Sequence, residues 1–356
     1  LVFGDASGVG LASGPRKLIA PLVPFPELSR SGSDRARMAS DAPQLQTIRV
    51  LSDGRPGHEN QSLGLAEALA RRTGAVIETV RITGAGYLAR YQRAMERAQD
   101  GPWPQLLIGA GHAVHLPLSF AARRFGARSV LIMEPTWPKA WFDLCLVPEH
   151  DLPAGPLADN VIPTRGALNR IPETRPPKQP RGVVLLGGPS RHHGWDGAAL
   201  VPAIAEIVRA RSEFTWTIAN SRRTPPGFLE ELNRADIRAE LMAHTRTPPG
   251  WVPEQLLAAT EVWVTEDSIS MMYEAVTAGA RTGLLPAPPL RANSRVLRAV
   301  EGLLRDGLAT RFADWAKAGR RLPPPRPFHE TARCAELVLA RFFRLPGASK
   351  NPEAVP

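Results

Sequence analysis

Along this chain, short apolar runs end in glycine-rich polar turns and lead into helical stretches; the pattern stops at a proline-rich segment and then starts over. In the first series, residues 48–51, 76–80, 106–109, 129–133 and 144–147 read as strands, with helices over 62–72, over 86–98 and from beyond Gly111 to Phe125. In the second, strands over 183–186, 214–219, 262–265 and 282–285 alternate with helices over 198–210, 227–233 and 268–278. Strands joined through helices run parallel, because each connection crosses a face of the sheet, and such sheets carry helices on both faces. Between the two series lies IPETRPPKQP, residues 171–180, whose four prolines suit an extended connector. The expectation is an α/β chain with a first domain over 43–170, a linker over 171–180 and a second domain over 181–328. A closing segment, 329–356, holds a helix over 329–343 that returns to brace the first domain. Residues 1–42 mix Gly, Ser, Pro and Arg without a sustained period and read as a flexible extension upstream of a start at Met38. They lack the order of a secretion signal, since Arg16 and Lys17 follow the first apolar residues.

With 356 residues, 43% of them hydrophobic, the chain can bury the cores of two domains. Its net charge is +10, and the first forty residues hold only five basic against three acidic side chains, so the excess belongs to the folded part. That balance favours anionic partners, whether nucleotide diphosphates, nucleic acid or an anionic membrane surface, without choosing among them; a lipid acceptor is a further expected partner. Nucleic acid is not expected, because the arginines are scattered along helical stretches and no RNA-recognition or zinc-finger spacing is present. No apolar run approaches the roughly 18 to 20 residues of a membrane span. Cys145 and Cys334 stand far apart in apolar surroundings, which suits a reducing compartment. A cytoplasmic protein follows, peripheral at most to the inner face of a membrane.

Ligands bind beyond the carboxyl ends of strands in open α/β sheets, which directs attention to the loops there. Gly187, Gly188, Ser190 and Arg191, followed by His192 and His193, offer backbone N–H groups, a hydroxyl and a cation suited to phosphate oxygens, or else form a plain strand-to-helix turn. Ser221, Arg222 and Arg223 follow the next strand, and the arginine fork matches phosphate; the alternative is a solvated basic turn. Asp267 and Ser268 open a helix whose free N–H groups and positive dipole end suit a diphosphate, with Ser270 and Glu274 further along. Glu274 is placed to hydrogen-bond ribose hydroxyls, while Ser268 and Asp267 are equally suited to simple capping.

In the first domain, residues 52–61 form the densest polar cluster of the chain. Asp53, His58 and Glu59 are candidate bases for an acceptor hydroxyl. Arg55, Asn60 and Gln61, with Gly111 and His112 of a neighbouring loop, are candidates for the acceptor side; Asn60 as a helix cap and Asp53-Gly54 as a turn are the plainer readings. His112 with His115, and His192 with His193, lack an acid and a third ligand at a familiar spacing, so no metal is expected. No cofactor is expected either, beyond a nucleotide diphosphate sugar as co-substrate.

Four stretches in this order, DGRPGHENQSLGLAEAL (53–69), LLGGPSRHHGW, SRRTP and TEDSISMMYEA, resemble the mitochondrial-fission family named for the elongated-mitochondria phenotype of its plant member, and the resemblance runs from Thr47 to the carboxyl terminus. Bacterial members of that family are named as glycosyltransferases or as nucleoside-diphosphate-sugar epimerases, and the plant relative is associated with recruiting a dynamin-like GTPase. The resemblance implies a GT-B-like fold, two Rossmann-like domains facing a cleft, with the second similar to the donor half of glycosyltransferases. It implies that Ser268, Ser270 and Glu274 hold diphosphate and ribose and that Gly187, Gly188 and Ser190 form the first phosphate loop. An epimerase of the short-chain kind needs a GxGxxG turn and a Tyr-x-x-x-Lys pair. Residues 109–114 lack the third glycine, and Tyr87, Tyr91 and Tyr273 have no lysine four residues on. The expectation is a metal-independent glycosyltransferase acting on an envelope or polysaccharide acceptor, with Arg191, Arg222 and Arg223 offsetting charge on the leaving diphosphate. Its rival is a non-catalytic recruitment module at a membrane surface.

Overall fold

A computed structural model of the chain describes residues 43–82, 86–96, 102–152, 155–291 and 294–343; the extension over 1–42 and the last thirteen residues lie outside it. The first series of strands forms a six-stranded sheet from β1 (Thr47–Ser52), β2 (Val76–Arg81), β3 (Leu106–Ala110), β4 (Arg128–Ile132), β5 (Leu144–Pro148) and β6 (Val161–Thr164). All neighbours are parallel, in the order β2-β1-β3-β4-β5-β6. Its helices are α1 (Pro56–Thr73), α2 (Tyr87–Met95) and α3 (His115–Phe125). β3 and β5 are continuous apolar runs, and β1 is buried throughout, because both faces are covered. One face packs on Leu65, Ala66 and Leu69 of α1, the other on Leu118, Ala121 and Ala122 of α3.

The second series forms another six-stranded parallel sheet, from β7 (Gln179–Leu185), β8 (Thr215–Ala219), β9 (Glu240–Met242), β10 (Ala259–Thr265), β11 (Arg281–Leu285) and β12 (Thr310–Arg311). Its order is β12-β11-β10-β7-β8-β9. Around it lie α4 (Gly197–Ala210), α5 (Phe228–Arg234), α6 (Trp251–Ala258), α7 (Ile269–Thr277), α8 (Arg295–Arg305) and α9 (Phe312–Lys317), and the chain closes with α10 (Glu330–Phe342). In each sheet the first strand lies inside and the winding reverses beside it. Crevices therefore open between the ends of β1 and β3 and between those of β7 and β10.

Gln179 and Pro180, expected in the linker, are the first residues of β7, because Gln179 pairs with Ala259 of β10. The chain then returns: Cys334, Ala335, Val338 and Leu339 of α10 share one core with α1. Both cysteines are buried and free. The two halves are tied at Asn169, which is buried and whose amide donates to Thr277 Oγ1 at 3.0 Å, while its backbone exchanges bonds with Thr331 Oγ1. α1 approaches this tie at Gly64, where a Cβ would lie 2.2 Å from the Asn169 carbonyl oxygen. Among the described residues no helix is long and apolar enough to cross a membrane.

Candidate functional site

A cleft of ≈ 1080 Å³ runs between the halves. From the first half it is lined by the start of α1, including Gly57, Glu59 and Asn60; from the second, by the loop after β8 and the start of α7. The polar cluster expected as a loop ahead of a helix at Ser62 is itself the first turns of α1, which begins at Pro56. Proline suits a first helical position, because its missing N–H is one the helix leaves unbonded there. Helical spacing then aims Glu59 and Asn60 at the cleft. Asn60 is thus no cap: its Nδ2 donates to Glu274 Oε1 at 2.7 Å, from the other half of the molecule. Burial pushes the Glu274 carboxyl up to about 7, against the lowering effect of the Asn60 bond.

Behind Glu59 lies a pair of side chains set by the end of β1. Asp53, 7% exposed at its side chain, approaches His58 Nδ1 with Oδ2 at 2.9 Å and accepts the Arg55 N–H on Oδ1 at 3.1 Å. The His58 ring lies against Gly111, whose φ is +86° and where a Cβ would be 2.3 Å from the imidazole. Only glycine leaves room for that ring. Ser52 Oγ donates to Glu59 Oε1 at 2.5 Å, and Arg81 Nε lies 3.8 Å from the same oxygen. Of the remaining first-half candidates, Gln61 is buried and bonds Gly57 O of its own helix at 3.3 Å, and His112 is exposed beside Thr136.

The second half divides its candidates into two sets. One set stitches the loops together. The Gly187 N–H donates to Thr265 Oγ1 at 2.7 Å and the Gly188 N–H to Asp267 Oδ2 at 3.0 Å, so neither is the free donor expected from the sequence. The cause is tertiary: β7 and β10 are neighbours, and their loops satisfy each other. Ser190 Oγ accepts the N–H groups of His192 and His193, while its own N–H donates to the His193 carbonyl. Arg223 donates to Gly188 O at 2.9 Å and pairs with Asp267 at 2.7 Å, and Ser221 Oγ donates to Gly187 O at 2.9 Å. Asp267 is therefore a buried pin for two loops, not a capping carboxylate. Arg191 is exposed, with Nε on His192 Nε2 at 3.0 Å.

The other set faces the cleft without joining those bonds: Arg222, Ser268, Ser270 and Glu274, while Ser221 and Arg223 of the first set line it too. Ser268 holds the N-cap position of α7 but makes no side-chain capping bond, so the first N–H groups of this nine-residue helix stay available. His244, Glu67 and Arg170 also line the cleft and carried no sequence signal. His244 is held by Asn220 Oδ1, which accepts its backbone N–H at 2.6 Å, and Glu67 pairs with Arg170 at 2.5 Å. Among the described residues no group of three or more His, Cys, Asp or Glu is gathered as a metal site.

With this geometry in hand, comparison with known proteins places the fold. A UDP-N-acetylglucosamine 2-epimerase of known structure superposes with a TM-score of 0.50 at 13% identity, over 88% of this chain and all of that one. A protein of Listeria monocytogenes assigned to the same activity gives 0.50 at 13%, over 87% and 99%. CalG4, the calicheamicin glycosyltransferase, gives 0.44 at 15%, over 82% and 93%. The fold is GT-B-like, as the sequence implied. The missing GxGxxG turn argues only against an epimerase of the short-chain kind, whereas the epimerases found here share this two-sheet architecture. None of the curated proteins matches the chain. The model of the family described as "Mitochondrial fission ELM1" matches residues 56–342, which takes in both sheets and the returning helix, so the chain belongs to the mitochondrial fission ELM1 family.

Proposed function

We propose that the protein transfers a sugar from a nucleotide diphosphate sugar to an acceptor hydroxyl in the cleft between its two halves. The observation that carries this reading is the uncapped start of α7, with Ser268 and Ser270, opening into the same cleft as Arg222 and as Glu274 with its partner Asn60. Helix N–H groups and a guanidinium suit a diphosphate, and the Glu274 carboxyl suits ribose hydroxyls. Most of the expected donor contacts are reassigned in this scheme. Gly187, Gly188, Ser190, Ser221, Arg223 and Asp267 hold the loops, and the charge on the leaving group falls to Arg222 and the helix start.

In the transfer step the acceptor oxygen bonds to the anomeric carbon and the bond from that carbon to the diphosphate oxygen breaks, its electron pair leaving with the diphosphate. The acceptor proton goes to His58 Nε2. Asp53 is the orienting group: its carboxylate holds Nδ1 and so fixes the tautomer and stabilises the imidazolium that forms. Glu59, tied to Ser52, supports this wall of the cleft. The chemistry uses no group beyond the chain's own side chains and the co-substrate, and the acceptor is an envelope or polysaccharide component.

The test is a thermal-shift panel of nucleoside diphosphates and their sugar conjugates, with and without magnesium. A ligand at 100 times its Kd adds about 2.7 kcal/mol. A rise with one base, indifferent to magnesium and lost in Arg222→Ala, supports the reading; no rise with any nucleotide refutes it.

A surface observation favours a peripheral location at a membrane. Leu88 on α2 and Phe120 on α3 are 70% and 46% exposed, and the same two helices carry the exposed Arg93, Arg123 and Arg124. Exposed apolar side chains and arginines on neighbouring helices suit an anionic lipid surface. Co-sedimentation with phosphatidylglycerol vesicles, lost in Leu88→Glu with Phe120→Glu, checks it; equal recovery with neutral vesicles contradicts it.

A further inference from the structure

Beyond His112, at the carboxyl end of the first sheet, the chain makes a turn that the transfer scheme leaves without a role. β4 stops at Ile132, and Met133 takes a φ of +80°, a left-handed conformation that side chains other than glycine rarely adopt. The strained residue starts a loop that turns an aromatic pair outward. Trp137 stacks on Trp141 with ring centres 5.2 Å apart and planes at 23°. Trp137 is 37% exposed, backed by Trp141, which itself packs against the core beneath α3.

Polar groups surround the pair. Lys139 Nζ lies 3.1 Å from Glu134 Oε1, while Glu134 Oε2 is buried without a partner. Thr136 Oγ1 lies 3.3 Å from Nδ1 of both His112 and His115. His115 is buried, and burial together with the neighbouring His112 pulls it down to about 4, so it is neutral and fixed under the loop. His112 is thereby held at Nδ1, leaving its other nitrogen toward solvent.

A partly exposed indole with an ammonium and a carboxylate on the same loop, and an imidazole bonded to that loop at Thr136, matches the two sides of a pyranose ring. The ring's C–H face lies on the aromatic surface and its hydroxyls meet the polar rim. The position fits as well. Trp137 adjoins Thr136, Thr136 meets His112, and His112 follows Gly111, on which His58 packs. The turn is thus linked, through Thr136, His112 and Gly111, to the histidine that would take the acceptor's proton. We propose that the Trp137–Trp141 turn is the acceptor subsite and binds a saccharide ring of the acceptor, so that the acceptor is a glycan and not a bare lipid. This rests on the sugar-transfer reading for its name as an acceptor subsite, but its binding chemistry stands separately.

The experiment titrates the full chain with labelled tetrasaccharides of glucose, mannose and N-acetylglucosamine, and in parallel with the nucleotide panel. One of the glycans is expected to bind, with an affinity at least about 10-fold weaker in Trp137→Ala and also reduced in Lys139→Gln, which keeps both indoles. Nucleotide affinity and melting temperature should be unchanged in both variants. Glycan binding that needs Trp137 without any nucleotide binding upholds the subsite and removes the transferase. Nucleotide binding with no glycan bound up to about 10 mM overturns the subsite and leaves the transferase standing. Polyprenyl phosphate binding that depends on Trp137 also overturns it.

Discussion

Replacing Glu274 by Gln separates the cost of burying this carboxyl from its use. The folded carboxyl is raised to about 7, above the ordinary carboxylate value near 4.5, by burial between the halves. A group raised in this way is compatible with folding while protonated, and its stability contribution is lost as pH climbs through the folded value. That difference corresponds to about 3 kcal/mol between pH 4 and pH 8. Glutamine keeps the oxygen that accepts the Asn60 bond and carries no charge at either pH. Wild type and variant should therefore be about equally stable near pH 4.5, while the variant gains up to about 3 kcal/mol by pH 8, or about 5 °C in melting temperature. Urea titrations of both proteins from pH 4.5 to 8 read this directly. Parallel pH profiles would refute the reasoning, because they would mean that Glu274 is ionised in the folded protein at little cost. At pH 8 the same variant should bind nucleotide diphosphate more weakly while being the more stable protein.

His58→Asn and Asp53→Asn should each lower turnover by about 10²- to 10⁴-fold without changing nucleotide affinity, measured by transfer assay and calorimetry; equal activity would remove the dyad from the chemistry. Arg223→Ala should cost about 2 kcal/mol or more, because it leaves the Asp267 carboxylate buried on one N–H, whereas Arg222→Ala should stay within about 0.5 kcal/mol and weaken nucleotide binding; chemical denaturation distinguishes them. Lys178→Met should cost about 2 to 4 kcal/mol, since Lys178 Nζ donates to the carbonyls of Leu256, Leu257 and Ala278 where α6 and α7 end.

The alternation of apolar runs with helices made both sheets legible, because strands buried on two faces cannot be written otherwise. Elements without such a run went unread. β9 has three residues and β6 carries a proline, while α8 went unread although the proline-rich segment before it and its Ser294 cap do signal a helix start. The site was legible as loops but not as bonds. Gly187 and Gly188 look like phosphate donors in sequence, yet their N–H groups go to Thr265 and Asp267, nearly eighty residues away. Asn60 and Glu274 each stood out alone, and only the packing of the halves joins them. Trp137 and Trp141 sit in a proline-interrupted turn where tryptophan ordinarily signals core, and only the exposure of Trp137 and its stacking on Trp141 mark them out.

The central claim is that a nucleotide diphosphate sits at the start of α7. A crystal structure of the chain with the tightest-binding diphosphate of the panel tests it most directly. The account predicts phosphate oxygens within hydrogen-bond distance of the first N–H groups of α7 and of Arg222, and ribose hydroxyls on Glu274. A diphosphate bound elsewhere, with the start of α7 facing only water, would contradict it.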